Sequence, residues 1–324
     1  MRILIAGGTS FVGRAIAWSA WRQGHDVTVI NRGVTPNDLP ADIERLVGDR
    51  QGDLSALGGR LFDVTVDTVA YRPRDVELLA AALGERGGHH IQISSVSAYS
   101  DPPFPGATEA TAALSPEREF DDNEPITGES YGPLKAACER SARKYFATAL
   151  TVVRPTFVIG SHDATLRFPY WVERVRRGGE IAVPGPRTNA LQYIDARDLA
   201  DFVVRLARDS VLGAFHVAGP YPADTFVDMV QRLAQHLAPQ GSTVREVDPD
   251  RVLQAGLEAK FPLWSGPESE NALCVDNASA LSQGLTLRPL SQSADDVVDW
   301  WGEREWPTHW LTSAQEAQLL HPEP

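Results

Sequence analysis

Cysteine and long apolar runs are scarce in this sequence. Its 324 residues include two cysteines, Cys138 and Cys274, which lie far apart and outside any C-x-x-C spacing. This pattern excludes a disulfide framework and a thiolate metal site, so we expect no metal centre. No run approaches the roughly 18 apolar residues of a membrane span, and residues 3–6 are too few for the apolar region of a secretory signal. We therefore expect a cytoplasmic protein with no membrane partner.

Positive charge is also in deficit. The sequence has 30 Lys and Arg against 43 Asp and Glu, which gives a formal net charge of −13. Phosphate backbones are held mainly by clustered Lys and Arg, so this balance disfavours a nucleic-acid partner. We expect a small-molecule substrate instead. The apolar fraction of 43% is ample for a core, and the length fits one large or two closely packed domains.

Short β-branched runs alternate with helical patterns along the first half of the chain. The runs predict strands at 2–6, 27–30, 46–47, 62–69, 91–93 and 150–153. Apolar residues at helical spacing predict helices at 11–23 and 74–83, with another helix around residues 131–135. Such alternation implies parallel strands joined by helical crossovers, with ligands at the carboxyl ends of the strands. The predicted fold class is therefore α/β, with a Rossmann-type doubly wound parallel sheet.

The alternation weakens beyond Gly160, where proline and glycine become frequent and four tryptophans gather between residues 300 and 310. A cluster of tryptophans such as this is typical of side chains that pack against each other in a hydrophobic core. We predict a dinucleotide-binding Rossmann domain over residues 1–165, to which residues 191–218 return. Residues 166–190 and 219–324 would form a smaller C-terminal domain that binds the substrate.

A glycine-rich turn follows the first predicted strand and opens the first predicted helix. In a dinucleotide site, the first glycine makes the tight turn and the amides at the helix N-terminus hold the pyrophosphate. Ser10 replaces the middle glycine of the usual pattern, and a side chain at this position limits how closely the backbone can approach the phosphate. The predicted cofactor-binding residues here are Gly7, Gly8, Thr9, Ser10, Phe11, Val12 and Gly13.

The residues after the second predicted strand bear on the choice of dinucleotide. NAD sites usually place Asp or Glu there for the ribose hydroxyls, whereas this chain has Asn31 and Arg32. Arg32 could hold the 2′-phosphate of NADP through a bidentate contact, so the sequence favours NADP and leaves NAD as the alternative. Asp49, after the third strand, could accept a hydrogen bond from the adenine amine or could be a turn residue.

A tyrosine and a lysine lie four residues apart at Tyr131 and Lys135. On a helix this spacing places both side chains on one face, one turn apart. The unperturbed pKa of tyrosine is about 10, and a nearby cation makes the phenol a usable acid or base nearer neutrality. Three serines follow the 91–93 strand and could hydrogen-bond a substrate oxygen beside it, namely Ser94, Ser95 and Ser97.

Together with the glycine turn and the segments 154–160 and 193–198, Ser95, Tyr131 and Lys135 resemble the short-chain dehydrogenase/reductase superfamily. More narrowly, they resemble its extended and atypical branch, the NAD(P)-dependent epimerase/dehydratase family. The resemblance implies that Tyr131 is the acid/base, that Lys135 binds the nicotinamide ribose and lowers the pKa of the tyrosine, and that Ser95 is the catalytic serine. It also implies cofactor contacts at Ala70 and Pro155, and a homodimer.

The sequence departs from that family at one informative place. Sugar 4,6-dehydratases follow the catalytic serine or threonine with an Asp-Glu pair, whereas Val96 and Ser97 follow Ser95. We therefore expect carbonyl reduction or epimerisation of a sugar nucleotide or another hydroxyl or carbonyl substrate. The resemblance also extends to an atypical bacterial subgroup whose plant plastid branch includes RNA-binding members. The alternative function is accordingly a catalytically silent dinucleotide-binding sensor or an RNA-associated protein.

Three further patterns give expectations about local structure. Pro133 is tolerated best in the first turn of a helix, which would place Tyr131 at or just before the helix start. The pair His89 and His90 is typical of a surface between loop and strand. His162 and Asp163 either line the substrate entrance or belong to an ordinary loop.

Overall fold

The computed structural model describes residues 1–100, 105–112, 114–121, 123–267 and 274–321. Its first half alternates strands and helices as predicted. In chain order these elements are β1 (Arg2–Ala6), α1 (Phe11–Arg22), β2 (Asp26–Asn31), β3 (Glu44–Val47), β4 (Val64–Asp67), α2 (Pro73–Leu83), β5 (His89–Ile93), α3 (Gly128–Phe146) and β6 (Leu150–Pro155).

Shorter strands and more closely spaced helices make up the second half. They are β7 (Phe157–Ile159), α4 (Arg167–Arg177), β8 (Glu180–Pro184), β9 (Ala190–Leu191), β10 (Tyr193–Asp195), α5 (Ala196–Arg208), β11 (Gly213–Val217), β12 (Asp224–Thr225), α6 (Phe226–Leu237), β13 (Thr243–Val247), α7 (Pro249–Gln254), α8 (Ala278–Ser282), α9 (Leu290–Trp301) and α10 (Ser313–Leu320). Short 3-10 turns occur at Ser55–Leu57, Gly84–Gly87, Val96–Ala98 and Glu258–Lys260.

Seven strands form one parallel sheet in the order β11-β6-β5-β4-β1-β2-β3. The predicted Rossmann-type α/β fold is confirmed. The strand order reverses between β1 and β4, and such a switch point leaves a crevice at the carboxyl ends of the strands. The crevice lies where β1 runs into the glycine-rich turn. The fold therefore places the predicted cofactor and catalytic residues along one edge of the sheet.

Helices cover both faces of the sheet. On one face α1 packs against α5, and on the other α2 packs against α3. The first face encloses a hydrophobic cluster made mainly of Ile, Val, Ala and Leu, with Ile16 and Val203 fully buried. We call this cluster the aliphatic core. It fixes the strands whose ends carry the glycine turn.

A second large cluster lies between α4, α6, α9 and α10 and is rich in aromatic rings. Tyr170, Trp171, Phe226, Trp301 and Trp310 are buried in it, and their ring centroids lie 4.9–5.3 Å from a neighbouring ring. We call this cluster the aromatic core. Three two-stranded sheets, β10-β7, β12-β9 and β13-β8, complete the second half.

One segment of the predicted C-terminal domain belongs instead with the aliphatic core. Ala280 in α8 and Leu285 just after it are buried in that cluster, and α8 packs against β11. The apolar side chains of this short segment cover the far edge of the seven-stranded sheet. Among the described residues, no helix is both long and apolar enough to cross a membrane.

Candidate active site

Backbone geometry explains why glycines occupy the turn after β1. Gly7 has a φ of +89°, and a Cβ there would lie 2.3 Å from Cγ1 of Val69. A Cβ on Gly13 would lie 2.3 Å from the carbonyl oxygen of Gly7, so only glycine lets α1 approach the turn this closely. The first amides of α1 have no partner within the helix, and they open at the crevice.

The first of two adjoining cavities lies beside this turn, at the ends of β1, β2 and β3. It has a volume of about 400 Å³. Its lining includes six of the predicted cofactor-binding residues, which are Gly7, Thr9, Ser10, Asn31, Arg32 and Asp49. Arg32 is exposed at the cavity wall, and Asn31 Oδ1 accepts a hydrogen bond from the Gly33 amide at 2.7 Å. The polar residues after β2 therefore face the same space as the glycine turn.

An ion pair that the sequence analysis missed lies in the wall of the first cavity. Arg50 Nη2 donates to Oδ2 of the fully buried Asp67 at 2.9 Å. The carboxylate raises the pKa of Arg50 despite its burial. Nε and Nη1 of Arg50 have no hydrogen-bond partner among the described residues. The position of Arg50 directly after Asp49 was the available signal, because both follow the end of β3.

The second cavity has a volume of about 600 Å³ and shares the residues Gly7, Ser10, Val69 and Tyr71 with the first. Among the predicted site residues its lining adds Phe11, Val12, Gly13, Ser95, Tyr131, Lys135 and Pro155. The two cavities thus form one cleft that runs from the end of β2, across the glycine turn, to α3. Of the predicted contacts, all of which the structure describes, Gly8 and Ala70 line neither cavity.

The helix that carries the tyrosine begins earlier than the sequence predicted. Thr127 caps α3 by accepting a hydrogen bond from the Ser130 amide, while the Ser130 hydroxyl accepts one from the Thr127 amide. Tyr131 is therefore the fourth helical residue, and the placement of Tyr131 at or just before the helix start was wrong. Pro133 lies inside α3, where it leaves the Glu129 carbonyl without its usual amide partner.

The three serines after β5 have different partners. Ser94 Oγ donates to Oε1 of the buried Glu139 at 2.6 Å. Ser95 Oγ accepts from the Ser97 amide at 3.1 Å, and Ser95 is near enough to Tyr131 to lower the pKa of the phenol. All three serines line the second cavity together with Tyr131. Of the three, Ser95, the serine singled out from the sequence, is the one that influences the phenol.

Lys135 is buried beneath the cleft, with 3% of its surface exposed. Its Nζ donates to the carbonyl oxygens of Ala70 at 2.9 Å and Ile93 at 3.1 Å. It lies 5.9 Å from the ring centroid of Tyr131 and 4.8 Å from that of Tyr71. Ala70 does not line the cleft, but its carbonyl oxygen holds the Lys135 ammonium in place. Tyr71, which the sequence analysis did not single out, lines both cavities.

The electrostatics of Tyr131 differ from the expectation that came with the resemblance. Burial raises the pKa of Tyr131 above its ordinary value, and this outweighs the lowering of the pKa by the nearby Ser95 and by the charge of Arg167. A pKa lowered by Lys135 is therefore not observed in this structure. The ammonium is turned toward two backbone carbonyls, and the phenol is protonated at neutral pH.

Behind the serines, a buried hydrogen-bond network braces the ends of β5 and β6. Arg154 makes a bidentate pair with Glu139 at 2.6 and 2.8 Å, and its Nη1 donates to the Tyr99 hydroxyl at 2.7 Å. The Tyr99 hydroxyl also contacts Nε2 of His216 at 2.5 Å. Burial raises the pKa of Tyr99 to about 12, so its hydroxyl stays protonated. The network fixes the strand end that carries Ser95.

The two sequence pairs that contain histidine, His89 with His90 and His162 with Asp163, each separate in the structure. His90 is fully buried and stacks on Phe146 at 3.8 Å, so the predicted surface position is wrong for this residue. The strand begins at His89, two residues earlier than predicted, and turns His90 into the core. Asp163 lines the second cavity, whereas His162 lies 5.2 Å from the ring of Trp300 and outside that lining. Among the described residues, no cluster of His, Cys, Asp or Glu could hold a metal ion.

The cleft fits a dinucleotide. The turn opens toward the cavity because Gly7 and Gly13 carry no side chain, and the free amides at the start of α1 suit a pyrophosphate. The first cavity offers Asn31, Arg32 and Asp49 to an adenosine end. The second offers Lys135 and Pro155 to a nicotinamide end. The residues present therefore match the chemistry of both ends of the molecule.

Comparisons with known proteins agree with the fold. Solved structures similar over nearly the whole chain include a UDP-N-acetylglucosamine 4-epimerase from Bacillus cereus, with 16% identity, a TM-score of 0.65 and coverage of 96% of this chain and 100% of that one. A dTDP-glucose 4,6-dehydratase from Bacillus anthracis, solved in complex with NAD, has 14% identity, a TM-score of 0.70 and coverage of 96% and 98%. A nucleoside-diphosphate-sugar epimerase from Pseudomonas aeruginosa has 18% identity, a TM-score of 0.67 and coverage of 96% and 99%.

A curated relative is the chloroplast stem-loop binding protein of 41 kDa b from Arabidopsis thaliana. The alignment of 215 residues, gaps included, is 26% identical, and it covers 61% of this chain and 53% of the relative. The chain therefore spans about half the length of that protein. The model of the NAD dependent epimerase/dehydratase family matches residues 73–236, from the start of α2 into α6. This match includes Ser95, Tyr131 and Lys135, and the chain belongs to the NAD dependent epimerase/dehydratase family.

Proposed function

We propose that this protein is an NADP-dependent reductase or epimerase that acts on a sugar nucleotide or another hydroxyl or carbonyl substrate. One observation carries the proposal. Ser95 and Tyr131 line one cavity that adjoins the glycine turn, with the Lys135 ammonium buried beneath. A proton donor thus lies beside the space that the nicotinamide end of a dinucleotide would occupy.

When bound, the nicotinamide supplies or accepts the hydride. Tyr131 supplies the proton. In reduction the carbonyl carbon gains the hydride and the carbonyl oxygen takes the phenol proton, so a C–H and an O–H bond form while the phenol O–H bond breaks and leaves a phenolate. In the reverse direction the phenolate takes the hydroxyl proton. Ser95 orients the substrate oxygen toward the phenol, and Lys135 would hold the nicotinamide ribose.

The raised pKa of Tyr131 favours one direction at neutral pH. A phenol that stays protonated is ready to donate, so reduction of a carbonyl needs no prior ionisation. Oxidation of an alcohol needs the phenolate and gains rate as the pH rises toward the raised pKa. Epimerisation uses both roles in turn.

The preference for NADP rests on the residues beside the first cavity. Arg32 lies at its wall, and β2 ends without the carboxylate that would repel a 2′-phosphate. Arg50 lines the same wall, but its charge is compensated by the ion pair with Asp67. Arg32 would grip the 2′-phosphate, because guanidinium and phosphate match in geometry.

Replacing Tyr131 with Phe tests the catalytic assignment. A panel of carbonyl compounds and sugar nucleotides is followed by NADPH oxidation and by NMR of the product configuration. We expect Tyr131→Phe to lower turnover about a thousandfold with unchanged NADPH affinity, because the variant loses only the proton donor. Tyr145→Phe is the matched control, since Tyr145 is exposed on the same helix. Equal turnover by Tyr131→Phe and wild type would remove Tyr131 from the mechanism.

The relative named for stem-loop binding supports an alternative, a sensor or RNA-associated protein on the same fold. It predicts cofactor binding without hydride transfer, and RNA-stem-loop affinity that falls steeply with salt. The net charge of −13 weighs against it. A gel-shift titration at two salt concentrations distinguishes the two functions.

A further inference from the structure

The substrate side of the second cavity contains a charged pair that the proposed mechanism does not use. Asp163 and Arg167 flank the short segment between β7 and the first turn of α4, and both line the cavity. The other cationic side chain in that lining is Lys135, whose Nζ is bound to two backbone carbonyls. Arg167 is therefore the lining cation that is placed to meet a substrate.

Asp163 is built to hold this arginine in position. Its side chain is 2% exposed, and its Oδ1 accepts hydrogen bonds from the Thr165 amide at 2.9 Å and the Thr165 hydroxyl at 2.6 Å. Its Oδ2 lies 3.5 Å from Nε of Arg167. Nε also donates to Thr165 Oγ1 at 2.8 Å. The inner edge of the guanidinium is thus fixed by two neighbours on its own loop.

The outer edge of the same guanidinium is open. The contacts of Arg167 with Asp163 and Thr165 all involve Nε, and neither Nη has a hydrogen-bond or ion-pair partner among the described residues. Its side chain is 34% exposed, so these two nitrogens can reach the cavity. Two parallel N–H groups on one planar edge match a pair of oxygens on a carboxylate or a phosphate.

A second unpartnered group lies in the lining of the same cavity. The hydroxyl of Thr156 is buried, and Oγ1 has no hydrogen-bond partner among the described residues. A buried hydroxyl without a partner costs free energy, which a ligand oxygen would recover. Arg167 is also near enough to Tyr131 for its charge to lower the pKa of the phenol. An anion held here would lie close to the reacting carbon.

We propose that Arg167 and Thr156 form an oxyanion subsite that binds a carboxylate or phosphate group of the substrate beside Tyr131. The inference rests on the proposed function in one respect, namely that the anion belongs to the molecule that reacts. It narrows the substrate to an acidic hydroxyl or carbonyl compound whose charged group lies near the reacting carbon. A hydroxy or keto acid, an acidic sugar and a sugar phosphate share this chemistry.

Titration calorimetry with two small anions tests the subsite directly. Malonate and inorganic phosphate are titrated separately into protein saturated with NADP⁺, so that sites for cofactor phosphates are already filled. We expect Arg167→Met to weaken anion binding by about tenfold to a hundredfold, as for loss of hydrogen bonds to a charged group. Arg167→Lys keeps the charge without the paired N–H groups and should bind with intermediate affinity. A preference for malonate identifies a carboxylate as the natural group, and a preference for phosphate identifies a phosphate.

Arg176→Met is the matched control, because Arg176 lies on the same helix and pairs with Glu173 outside the cavity. Its anion affinity should equal that of wild type. The subsite is wrong if wild type binds neither anion, if Arg167→Met binds both as tightly as wild type, or if Arg176→Met loses as much affinity. Anion binding that depends on Arg167 in a protein without any turnover would keep the subsite and reject the proposed enzyme. Turnover with an anion affinity and a KM indifferent to Arg167 would keep the enzyme and reject the subsite.

Discussion

The aliphatic core and the aromatic core hold the two sides of the cleft by different means. The aliphatic core packs Ile, Val, Ala and Leu from parallel strands and their crossover helices, so each element contributes at a regular spacing. The aromatic core joins rings from segments far apart in the chain, such as Tyr170 and Trp310. Six of the eight tryptophans lie after residue 170.

The difference has a consequence for function. The side of the cleft above the aliphatic core must present glycine, serine, tyrosine and lysine at fixed positions, because backbone geometry and proton transfer require those residue types. The side above the aromatic core needs only a rigid frame, and its cavity residues are free to vary with the substrate. The first side should therefore fix the reaction, and the second should fix what reacts.

Removal of a ring from the aromatic core should have the largest effect on stability. Trp310 is 4% exposed and lies 4.7–5.3 Å from the rings of three neighbours. Trp310→Ala leaves a cavity and should lower the free energy of unfolding by about 3–5 kcal/mol in urea titrations. NADPH affinity measured below the unfolding transition should stay unchanged. Leu281→Ala, at an exposed site, is the control. Loss of cofactor affinity in Trp310→Ala would show that the two cores do not act separately.

A pH-dependent contribution should appear on the other side, at His90. Desolvation lowers the pKa of His90 from 6.5 to about 4, so the folded protein keeps it neutral where the unfolded chain protonates it. The stabilisation is complete above pH 6.5 and is lost as the pH falls toward about 4, by about 3 kcal/mol in all. His90→Gln should remove this dependence from urea unfolding curves. His309→Gln, at an exposed histidine, should retain it. Identical pH profiles for His90→Gln and wild type would contradict this assignment.

The smallest effect expected is on cofactor choice. Arg32→Ala should weaken NADPH binding by about tenfold and leave NADH binding nearly unchanged, because only NADPH carries the 2′-phosphate. Fluorescence titration of both cofactors measures the ratio, with Arg251→Ala, on α7, as the control. If the wild-type protein binds NADH more tightly than NADPH, Arg32 does not contact the cofactor and NAD is the natural ligand of the cleft.

The sequence predicted the sheet, the glycine turn and the grouping of Ser95 with Tyr131, because each depends on local pattern or on a motif. It misplaced the start of α3, since the cap at Thr127 and Ser130 outweighs the preference of Pro133 for a first turn. It missed Arg50 and Arg167. Arg50 matters because it pairs with Asp67, a buried carboxylate 17 residues away, and Arg167 matters because it lines the second cavity. The stacking of His90 on Phe146 likewise depends on tertiary contact.

The central claim is that one dinucleotide spans both cavities, with its reactive end at Tyr131. The most direct test is a crystal structure of the protein with NADP⁺ bound. We expect the pyrophosphate on the turn from Gly7 to Gly13, the 2′-phosphate at Arg32, and the nicotinamide in the second cavity within reach of Tyr131. A nicotinamide in the first cavity, or NADP⁺ bound outside the cleft, would contradict the claim.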